Sequence, residues 1–511
     1  MTHEAFSFQY LSEKNSSSLT SFSGLPLYMD LAAISGLWLK ISQKVQTKTR
    51  GWSDLQILMS LILLNLAGGD CIDDIERLEN DGGLKTLLLK LETHGMTRKQ
   101  RRVYERRWSK EKNRAFPSAA AIHRYLEQFH NHTAESLRVE GKALIPPQNK
   151  LLSKLQNVNS SLIDYAQKNH RCDVATLDQD ATLAETHKRT ALYCYEKYKA
   201  YQPFNTYWAE QDLLLHSEFR DGNVNAGFEQ LRVLKEALQL LPKEIKKVLL
   251  RSDSAGYQED LLRYCAEGKN ERFEKIEFAI AAKVSDSFKC AVAEVAEANW
   301  HPVCKEMEDG SWLKTDQEWA EVCFVPTWTA MKKDGPNYRY LAIRERMNPQ
   351  LELPGLTPQQ LELPFPTIKL EKGQYKLFGI VTNRTLGGND LINWLRKRCG
   401  YSEKLHSVEK NDLAGGQFPS NKFGANAAWW QIMVLAFNLN NLMKSLVLPK
   451  QLKNKRLKAL RLAIIGVAGR VIQHARNLFI KLSGGKNTAD LFWQIRMNMN
   501  KLANAPPLLS A

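Results

Sequence analysis

The stretch 173-DVATLDQDATLAETHK-188 decides the interpretation of the fold, because a run of apolar and β-branched residues ends there in two carboxylates. The pattern predicts a strand over 173–180, and alternate residues of a strand point to the same side. Asp178 and Asp180 are therefore expected to face one place. On the residues alone, a metal site, an acid–base pair and the polar end of an ordinary strand are all open.

A second apolar run, 247-KVLLRSDSAGY-257, also predicts a buried strand, and it ends at Asp253. In α/β sheets, ligands bind at the carboxyl ends of the strands, so an acid at that point is a site candidate. An aspartate at a strand end also commonly caps a helix or begins a turn. One such residue alone favours the turn, whereas two on neighbouring strands favour a site.

A third carboxylate, Glu403, lies in a helix predicted from about 388 to 411. Glu403 and Lys410 are seven residues apart, so they share a helix face, and His406 falls between them. A helix with mixed charges is most often simply solvated. Carboxylates beside bases also suit phosphodiester chemistry, in which three acids hold two Mg²⁺ ions, or Mn²⁺ in their place, and the bases contact the phosphate backbone.

The order of elements between 173 and 284 is strand, strand, strand, helix, strand, helix, strand, which predicts an α/β core built on a mixed sheet. Short β-like pieces and a Pro-rich linker follow, and helical patterns flank the whole. The predicted regions are a flexible arm (1–30), a helical region (31–165), an α/β core (166–284 and 371–430), a β-rich insertion (285–370) and a basic helical C-terminal region (431–511).

The charge balance favours a polyanion as partner. The chain has 511 residues, with 71 Lys and Arg against 55 Asp and Glu, and a net charge of +16. The segment 98-RKQRRVYERRWSKEKNR-114 holds nine bases and two acids. Within it, Arg101, Arg102 and Arg106 are candidates for contacts with DNA phosphates, a solvated helix being the alternative.

The sequence lacks the motifs of several other enzyme classes. It contains no Gly-x4-Gly-Lys-Ser/Thr phosphate loop, so no nucleotide cofactor is expected, and no Gly-x-Ser-x-Gly or His-Glu-x-x-His motif. The eight cysteines form no Cys-x-x-Cys pair. The apolar runs 55–67 and 428–448 are predicted to be buried helices and not membrane spans, and the polar N-terminus predicts a cytoplasmic protein.

Four stretches carry a resemblance to a known family: 176-TLDQDATLAETHKRTALYCYEKYKAYQPFN-205, 217-SEFRDGNVNAGFEQLRVLKEAL-238, 249-LLRSDSAGYQEDLLRYCAEGK-269 and 398-RCGYSEKLHSVEKNDLAGGQFPSNKFGANAAWW-430. The chain resembles the DDE transposases of bacterial insertion sequences, which have a ribonuclease-H-like core. More narrowly, it resembles the thirteen-eighty insertion-sequence group. The resemblance extends over roughly residues 30–500. It implies that the helical region (31–165) binds DNA and that the α/β core (166–284 and 371–430) is a ribonuclease-H-like catalytic core.

The family pattern is an aspartate on the first strand, an aspartate on the fourth strand and a glutamate on a late helix. It implies Asp180, Asp253 and Glu403 as the catalytic metal ligands, with Asp178 as a neighbour in the metal shell. Asp180 fits the first position better than Asp178, because the family usually has Thr or Ser close behind this aspartate and Thr182 stands there.

The late helix departs in part from the family's Tyr-x2-Arg-x3-Glu-x6-Lys motif. Glu403 and Lys410 fit it. Arg398 lies one residue too far from Glu403, and the tyrosine is missing, which keeps Glu409 as an alternative acid. Lys410, Arg398 and His406 are the predicted DNA contacts of this helix.

The resemblance also implies a function. The chain would excise and insert an insertion sequence by two-metal DNA cleavage and strand transfer, acting on the terminal inverted repeats of the element and on target DNA. It would work as a homodimer on DNA, in the bacterial cytoplasm with the nucleoid. A metal-dependent nuclease or integrase on the same core is one alternative, and a retired transposase that only binds DNA is another.

Overall fold

The computed structural model describes residues 16–47, 51–93, 96–103, 114–307, 309–330, 338–347, 365–474 and 477–504. The side chains of residues 399–404 lie outside that description. The chain forms two compact units. The sheet unit comprises Thr133–Pro147 and Ala166–Ser407, and the helical unit comprises Met1–His132, Gln148–Tyr165 and Val408–Ala511.

The described strands are β1 (Leu19–Thr20), β2 (Val174–Ala181), β3 (Ala184–Glu185), β4 (Ala200–Tyr201), β5 (Phe204–Trp208), β6 (Leu213–Glu218), β7 (Lys247–Ser252), β8 (Glu277–Ala282), β9 (His301–Glu306), β10 (Trp312–Val322), β11 (Arg339–Arg346), β12 (Thr367–Leu370), β13 (Gly373–Thr382), β14 (Gly469–His474) and β15 (Asn477–Leu482). Within the described residues, ten of them form one sheet in the order β6-β5-β2-β7-β8-β13-β11-β10-β9, with β12 also on β13. The pairs β2–β7 and β7–β8 are parallel. The other pairs of this sheet are antiparallel, so the predicted mixed sheet is confirmed.

Helices connect the parallel strands. The helix Gln230–Leu240 lies between β6 and β7, and the helix Glu259–Ala266 lies between β7 and β8. The first of these buries Val233, Leu234 and Ala237, whose spacing places them on one helical face. The remaining α-helices that the structure describes in the sheet unit are Asp286–Ala293, Thr327–Ala330 and Gly388–Ser407, the last of which is called the late helix below.

The late helix packs on the sheet through apolar residues near its start. Leu391, Ile392 and Leu395 join a buried cluster with residues of β8, β9, β11 and β13. At Gly388 the helix backbone approaches a ring so closely that an added Cβ would lie 2.2 Å from Trp319. This packing fixes the late helix against the sheet from its first turn.

The helical unit has a core of two apolar helices. Asp54–Ala67 begins at a capping box formed by Ser53 and Gln56, and Phe423–Leu442 is buried along its whole length. The other described helices of this unit are Leu25–Ile34, Leu37–Lys44, Ile75–Glu79, Gly82–Glu92, Ala119–Leu126, Lys150–Val158, Lys450–Lys453, Leu457–Leu460 and Gly485–Asn504. Two further helices, His132–Glu135 and Ser160–Asn169, cross the boundaries between the units.

The two apolar runs are buried helices, as predicted. Among the described helices, none is by itself long and apolar enough to cross a membrane, and the pair Asp54–Ala67 with Ile72–Glu79 meets that test only jointly, across a 94° bend.

One stretch differs from the sequence prediction. The C-terminal region is predicted to be helical, but β14 and β15 form an antiparallel pair there, and β14 also pairs with β1. In 477-NLFIKL-482 the exposed and half-buried residues alternate, which is the two-residue period of a strand.

The strands between 285 and 370 extend the same sheet that holds β2 and β7, through β13 and β11. The domain boundaries given above remain a prediction.

Candidate active site

The first two predicted acids meet at one edge of the sheet. β2 and β7 are parallel neighbours, and the last pair in their register is Gln179 with Ser252. One residue further along the two strands come Asp180 and Asp253, at the carboxyl ends. Burial, and after it the charge of Asp180, raises the pKa of Asp253. The two carboxylates therefore create one region of negative potential.

Asp180 also contacts the late helix. Its Oδ2 accepts a hydrogen bond from Nη1 of Arg398 at 2.8 Å, and its Oδ1 accepts from the backbone N–H of Ala181 at 3.0 Å. The side chain of Asp180 is 22% exposed, and that of Arg398 is 12% exposed. The arginine predicted to contact DNA thus lies directly beside the first predicted metal ligand.

Asp253 begins a turn. It caps the short 3-10 helix Ser254–Gly256, and its Oδ1 accepts from the backbone N–H of Ala255 at 3.0 Å. The two interpretations of Asp253 from the sequence, a turn and a site, are therefore compatible. The cap orients the carboxylate, which is half-buried at the end of β7 and close enough to Asp180 for the two charges to interact.

Asp178 has a different environment. Its side chain is 2% exposed, and its two oxygens accept from Nε and Nη2 of Arg251 at 2.5 and 2.7 Å. Nη1 of Arg251 donates to the backbone carbonyl of Trp394 at 2.8 Å. The guanidinium also lies 5.3 Å from the centre of the Trp394 ring. Both oxygens of Asp178 are thus occupied by an arginine inside the protein.

The opposite face of the two strands has a neutral network. Gln230, at the start of its helix, donates from Nε2 to Oε1 of Gln179 at 3.1 Å and to Oγ of Ser252 at 3.0 Å. Gln179 in turn donates to the hydroxyl of Thr206 on β5 at 3.3 Å. All four side chains are buried. This network joins β5, β2 and β7 immediately before the two acids.

Glu403, the predicted third acid, has its backbone in the late helix. It follows Arg398 by five residues, which is about 7.5 Å along a helix axis. Its side chain lies outside the described residues, so its role stays a prediction. His406 is half-buried near the end of the same helix.

The other predicted residues lie in the helical unit. Glu409 and Lys410 belong to a π-helical turn, Val408–Asp412, in which Glu409 is fully buried and Lys410 is half-buried. Arg101 is half-buried and Arg102 is exposed on the helical stretch 98–103. Arg106 lies outside the described residues.

The donor set at the sheet edge fits a divalent cation. Asp180 and Asp253 supply carboxylate oxygens, the ligands that Mg²⁺ and Mn²⁺ prefer. Burial and then the charge of Asp180 raise the pKa of Asp253, and a cation bound there would offset the repulsion between the two carboxylates. Among the side chains that the structure describes, no group of three or more His, Cys, Asp and Glu residues forms a metal-binding cluster, and the side chain of Glu403 is not in that set.

Sequence reasoning missed two residues next to this site, Arg251 and Gln230. One signal was available, because Arg251 precedes Asp253 by two residues, as Asp178 precedes Asp180. A charged side chain inside a buried strand needs a counterion, and equal spacing on two neighbouring strands identifies the candidate. Gln230 carries no such signal.

Comparison with known proteins gives the family. The model of the family described as "Transposase DDE domain group 1" matches residues 11–504. No curated protein matches the chain. Among solved structures, the chain is similar to a piggyBac transposase synaptic complex with hairpin DNA, with 10% identity and a TM-score of 0.36, over 96% of this chain and 81% of that one. On the family match, the chain belongs to the DDE transposases of this group and is a DNA transposase, an enzyme that cleaves and joins DNA strands.

Proposed function

We propose that the chain excises and inserts an insertion sequence by two-metal phosphoryl transfer, with Asp180, Asp253 and Glu403 as the metal ligands. The observation that carries this proposal is the meeting of Asp180 and Asp253 at the carboxyl ends of two parallel strands. When bound there, two Mg²⁺ or Mn²⁺ ions would activate the attacking water or 3′-hydroxyl and neutralise charge on the leaving oxygen.

The residues around the acids have separate tasks. Asp180, whose side chain is 22% exposed, and Asp253, which is half-buried, would bind the cations. In the absence of DNA, Arg398 donates a hydrogen bond to Asp180. When Asp180 binds a cation, Arg398 is placed to contact a phosphate of the DNA backbone. Asp178, with both oxygens on Arg251, supports the site and is not one of the ligands in this proposal.

The sheet topology supports a ribonuclease-H-like core. In chain order, β2, β5, β6, β7 and β8 are the first five long strands of the large sheet, and they lie side by side in the order β6-β5-β2-β7-β8. Asp180 is on the first of these and Asp253 follows the fourth, which is the family pattern. The four sequence stretches quoted above support the narrower assignment to the thirteen-eighty insertion-sequence group.

The proposed partners follow from the same function. The net charge of +16 suits DNA, here the terminal inverted repeats of the element and the target. Lys410, His406, Arg101, Arg102 and Arg106 are proposed as further DNA contacts. Because two ends must be cut and joined together, we propose a homodimer on DNA, acting in the bacterial cytoplasm with the nucleoid.

The test is a cleavage and strand-transfer assay in Mg²⁺, using DNA duplexes that carry the element's own ends and a supercoiled target plasmid. Asp180→Asn, Asp253→Asn and Glu403→Gln are expected to abolish both steps. Asp286→Asn is the control, since that acid is 99% exposed in the same unit, and it should leave both steps unchanged. Glu409→Gln tests the alternative third acid, and on this proposal it keeps strand cleavage if it folds.

Full cleavage by Asp253→Asn would overturn the metal site. Cleavage without joining by the wild-type chain would instead favour a nuclease, and binding without cleavage would favour a retired derivative.

A further inference from the structure

One arginine joins three elements of the sheet unit. Arg251 belongs to β7, its Nε and Nη2 hold Asp178 on β2, and its Nη1 donates to the carbonyl of Trp394 on the late helix. The side chain of Arg251 is 4% exposed. Its three contacts therefore lie inside the protein, where they are shielded from water and geometrically fixed.

Each of these three elements carries one acid of the proposed triad. On β2 the contact precedes Asp180 by two residues, and on β7 it precedes Asp253 by two residues, about 7 Å in each case. On the late helix the contact precedes Glu403 by nine residues, about 13.5 Å along the axis. A rotation or shift of any one element relative to the other two would break a contact of Arg251.

The arrangement exceeds what charge neutralisation of Asp178 requires. A buried pair gives little net stability, because its attraction must first offset the desolvation of both ions. An ion pair between Asp178 on β2 and Arg251 on β7 would also not require a contact with the late helix. Here the remaining donor, Nη1, reaches a backbone carbonyl of the late helix, and the guanidinium also lies 5.3 Å from the centre of the Trp394 ring.

We propose that Arg251 is a positioning residue. It holds the late helix at a fixed place relative to the ends of β2 and β7, so that the acids of the three elements lie at the spacing that a pair of divalent cations needs. Asp178 is its counterion. This inference rests on the proposed metal site. It adds the residue, Arg251, that fixes the relative positions of the three elements that carry the metal ligands.

The test measures Mn²⁺ affinity of the full chain in the absence of DNA, from the loss of the free-Mn²⁺ paramagnetic resonance signal. Arg251→Gln is expected to weaken Mn²⁺ binding about 10- to 100-fold, the usual effect of removing a residue that orients metal ligands. Thermal unfolding is recorded in parallel, because the same change also removes a buried ion pair.

Arg344→Gln is the matched control. Arg344 is also buried, at 2% exposure, and donates to Glu297 and Glu318 while it lies 4.1 Å from the centre of the Trp300 ring. It belongs to β11, three strands away from β7. We expect Arg344→Gln to lower the unfolding temperature and to leave Mn²⁺ affinity unchanged. Equal Mn²⁺ affinity of Arg251→Gln and the wild type would overturn the inference.

A double variant covers the case in which Arg251→Gln fails to fold. Asp178→Leu combined with Arg251→Met replaces the ion pair by apolar side chains, a change that buried pairs often tolerate. It should fold but bind Mn²⁺ at least about 10-fold more weakly, because the Trp394 carbonyl has lost its donor. Wild-type affinity in this variant would mean that the pair is only structural.

The inference and the proposed metal site fail in different ways. If Asp253→Asn keeps full Mn²⁺ binding, the metal site itself is refuted. If Asp253→Asn loses Mn²⁺ binding while both Arg251 variants keep it, the metal site stands and the positioning role does not.

Discussion

Arg398 donates to Asp180 across the gap between the late helix and β2, at 2.8 Å from Nη1 to Oδ2. The same carboxylate is proposed to bind a cation, so the arginine and the metal compete for it. We expect Arg398→Gln to bind Mn²⁺ about fivefold more tightly, which corresponds to the loss of an ion pair of about 1 kcal/mol. Titration of the full chain with Mn²⁺ measures this.

The same variant should be slower in DNA cleavage, because the phosphate contact is lost. Arg398→Lys keeps the charge and is the control, with Mn²⁺ affinity close to that of the wild type. Weaker Mn²⁺ binding by Arg398→Gln would show that Arg398 organises the site and does not compete for it.

Asp253→Asn should make the protein more stable when no metal is present. Burial and the charge of Asp180 both disfavour the ionised carboxylate of Asp253, as its raised pKa indicates. An asparagine can still accept the hydrogen bond from Ala255 that caps the turn. We expect the unfolding temperature in EDTA to rise by about 1–4 °C. Differential scanning calorimetry with and without Mg²⁺ measures it.

Addition of Mg²⁺ should stabilise the wild type and leave Asp253→Asn unchanged, because a ligand stabilises only the state that binds it. Asp286→Asn serves as control. An Asp253→Asn protein that is less stable than the wild type in EDTA would argue against the repulsion between the two carboxylates.

Gln230→Leu should destabilise the sheet unit. The variant leaves the buried side chains of Gln179 and Ser252 without the donor that joins them. Each buried polar group without a partner costs about 1–3 kcal/mol. Urea unfolding should register this loss. Gln239→Leu, an exposed position on the same helix, is the control and should change stability by less than about 0.5 kcal/mol. If Gln230→Leu and Gln239→Leu changed the free energy of unfolding equally, the network would have no role in stability.

The ion pair of Glu297 should give a measurable dependence of stability on pH. Hydrogen bonds from Arg344 and then Lys372 lower the pKa of Glu297 from 4.5 to about 2. A lowered carboxyl pKa gives stability that is complete above the unfolded value of 4.5 and is lost as the pH falls towards 2. The difference in unfolding temperature between wild type and Glu297→Gln should therefore be larger at pH 6 than at pH 3. A difference that does not change with pH would contradict this assignment.

A basic groove in the helical unit should contribute to DNA binding. It has a volume of about 530 Å³, and Lys450, Lys453 and Lys501 line it together with amide and apolar side chains. Replacing Lys450 and Lys501 by Gln should weaken DNA binding and reduce the slope of log K against log salt by up to about 2. The matched Lys→Arg pair keeps both charges and should keep the slope. An unchanged slope in the Gln variant would exclude phosphate contacts at this groove.

The sequence contains enough to predict the parallel strands and the place of two acids. The runs before Asp180 and Asp253 are apolar and short, and each ends in a carboxylate, so a local pattern is sufficient. The helix between β6 and β7 is equally local, because Val233, Leu234 and Ala237 repeat with the helical period. The preference for Asp180 over Asp178 as metal ligand stays a prediction. It is supported by the two hydrogen bonds through which Arg251 occupies both oxygens of Asp178.

Other features depend on contacts between residues far apart in the chain. The pairing of Asp178 with Arg251 requires the register of β2 on β7, which neither strand specifies alone. The contact of Arg398 with Asp180 depends on how the late helix lies on the sheet, so a spacing motif along that helix could not give it. The β14–β15 pair was missed because apolar residues stand side by side in 469–482, so polar and apolar residues do not alternate as in a typical half-buried strand.

The most direct test of the central claim is anomalous diffraction from crystals of the full chain soaked in Mn²⁺. We predict two anomalous peaks about 3.5–4 Å apart, within coordinating distance of the carboxylates of Asp180 and Asp253 and of Glu403 on the late helix. Peaks at other positions, or none at this edge of the sheet in saturating Mn²⁺, would contradict the two-metal site and with it the proposed mechanism.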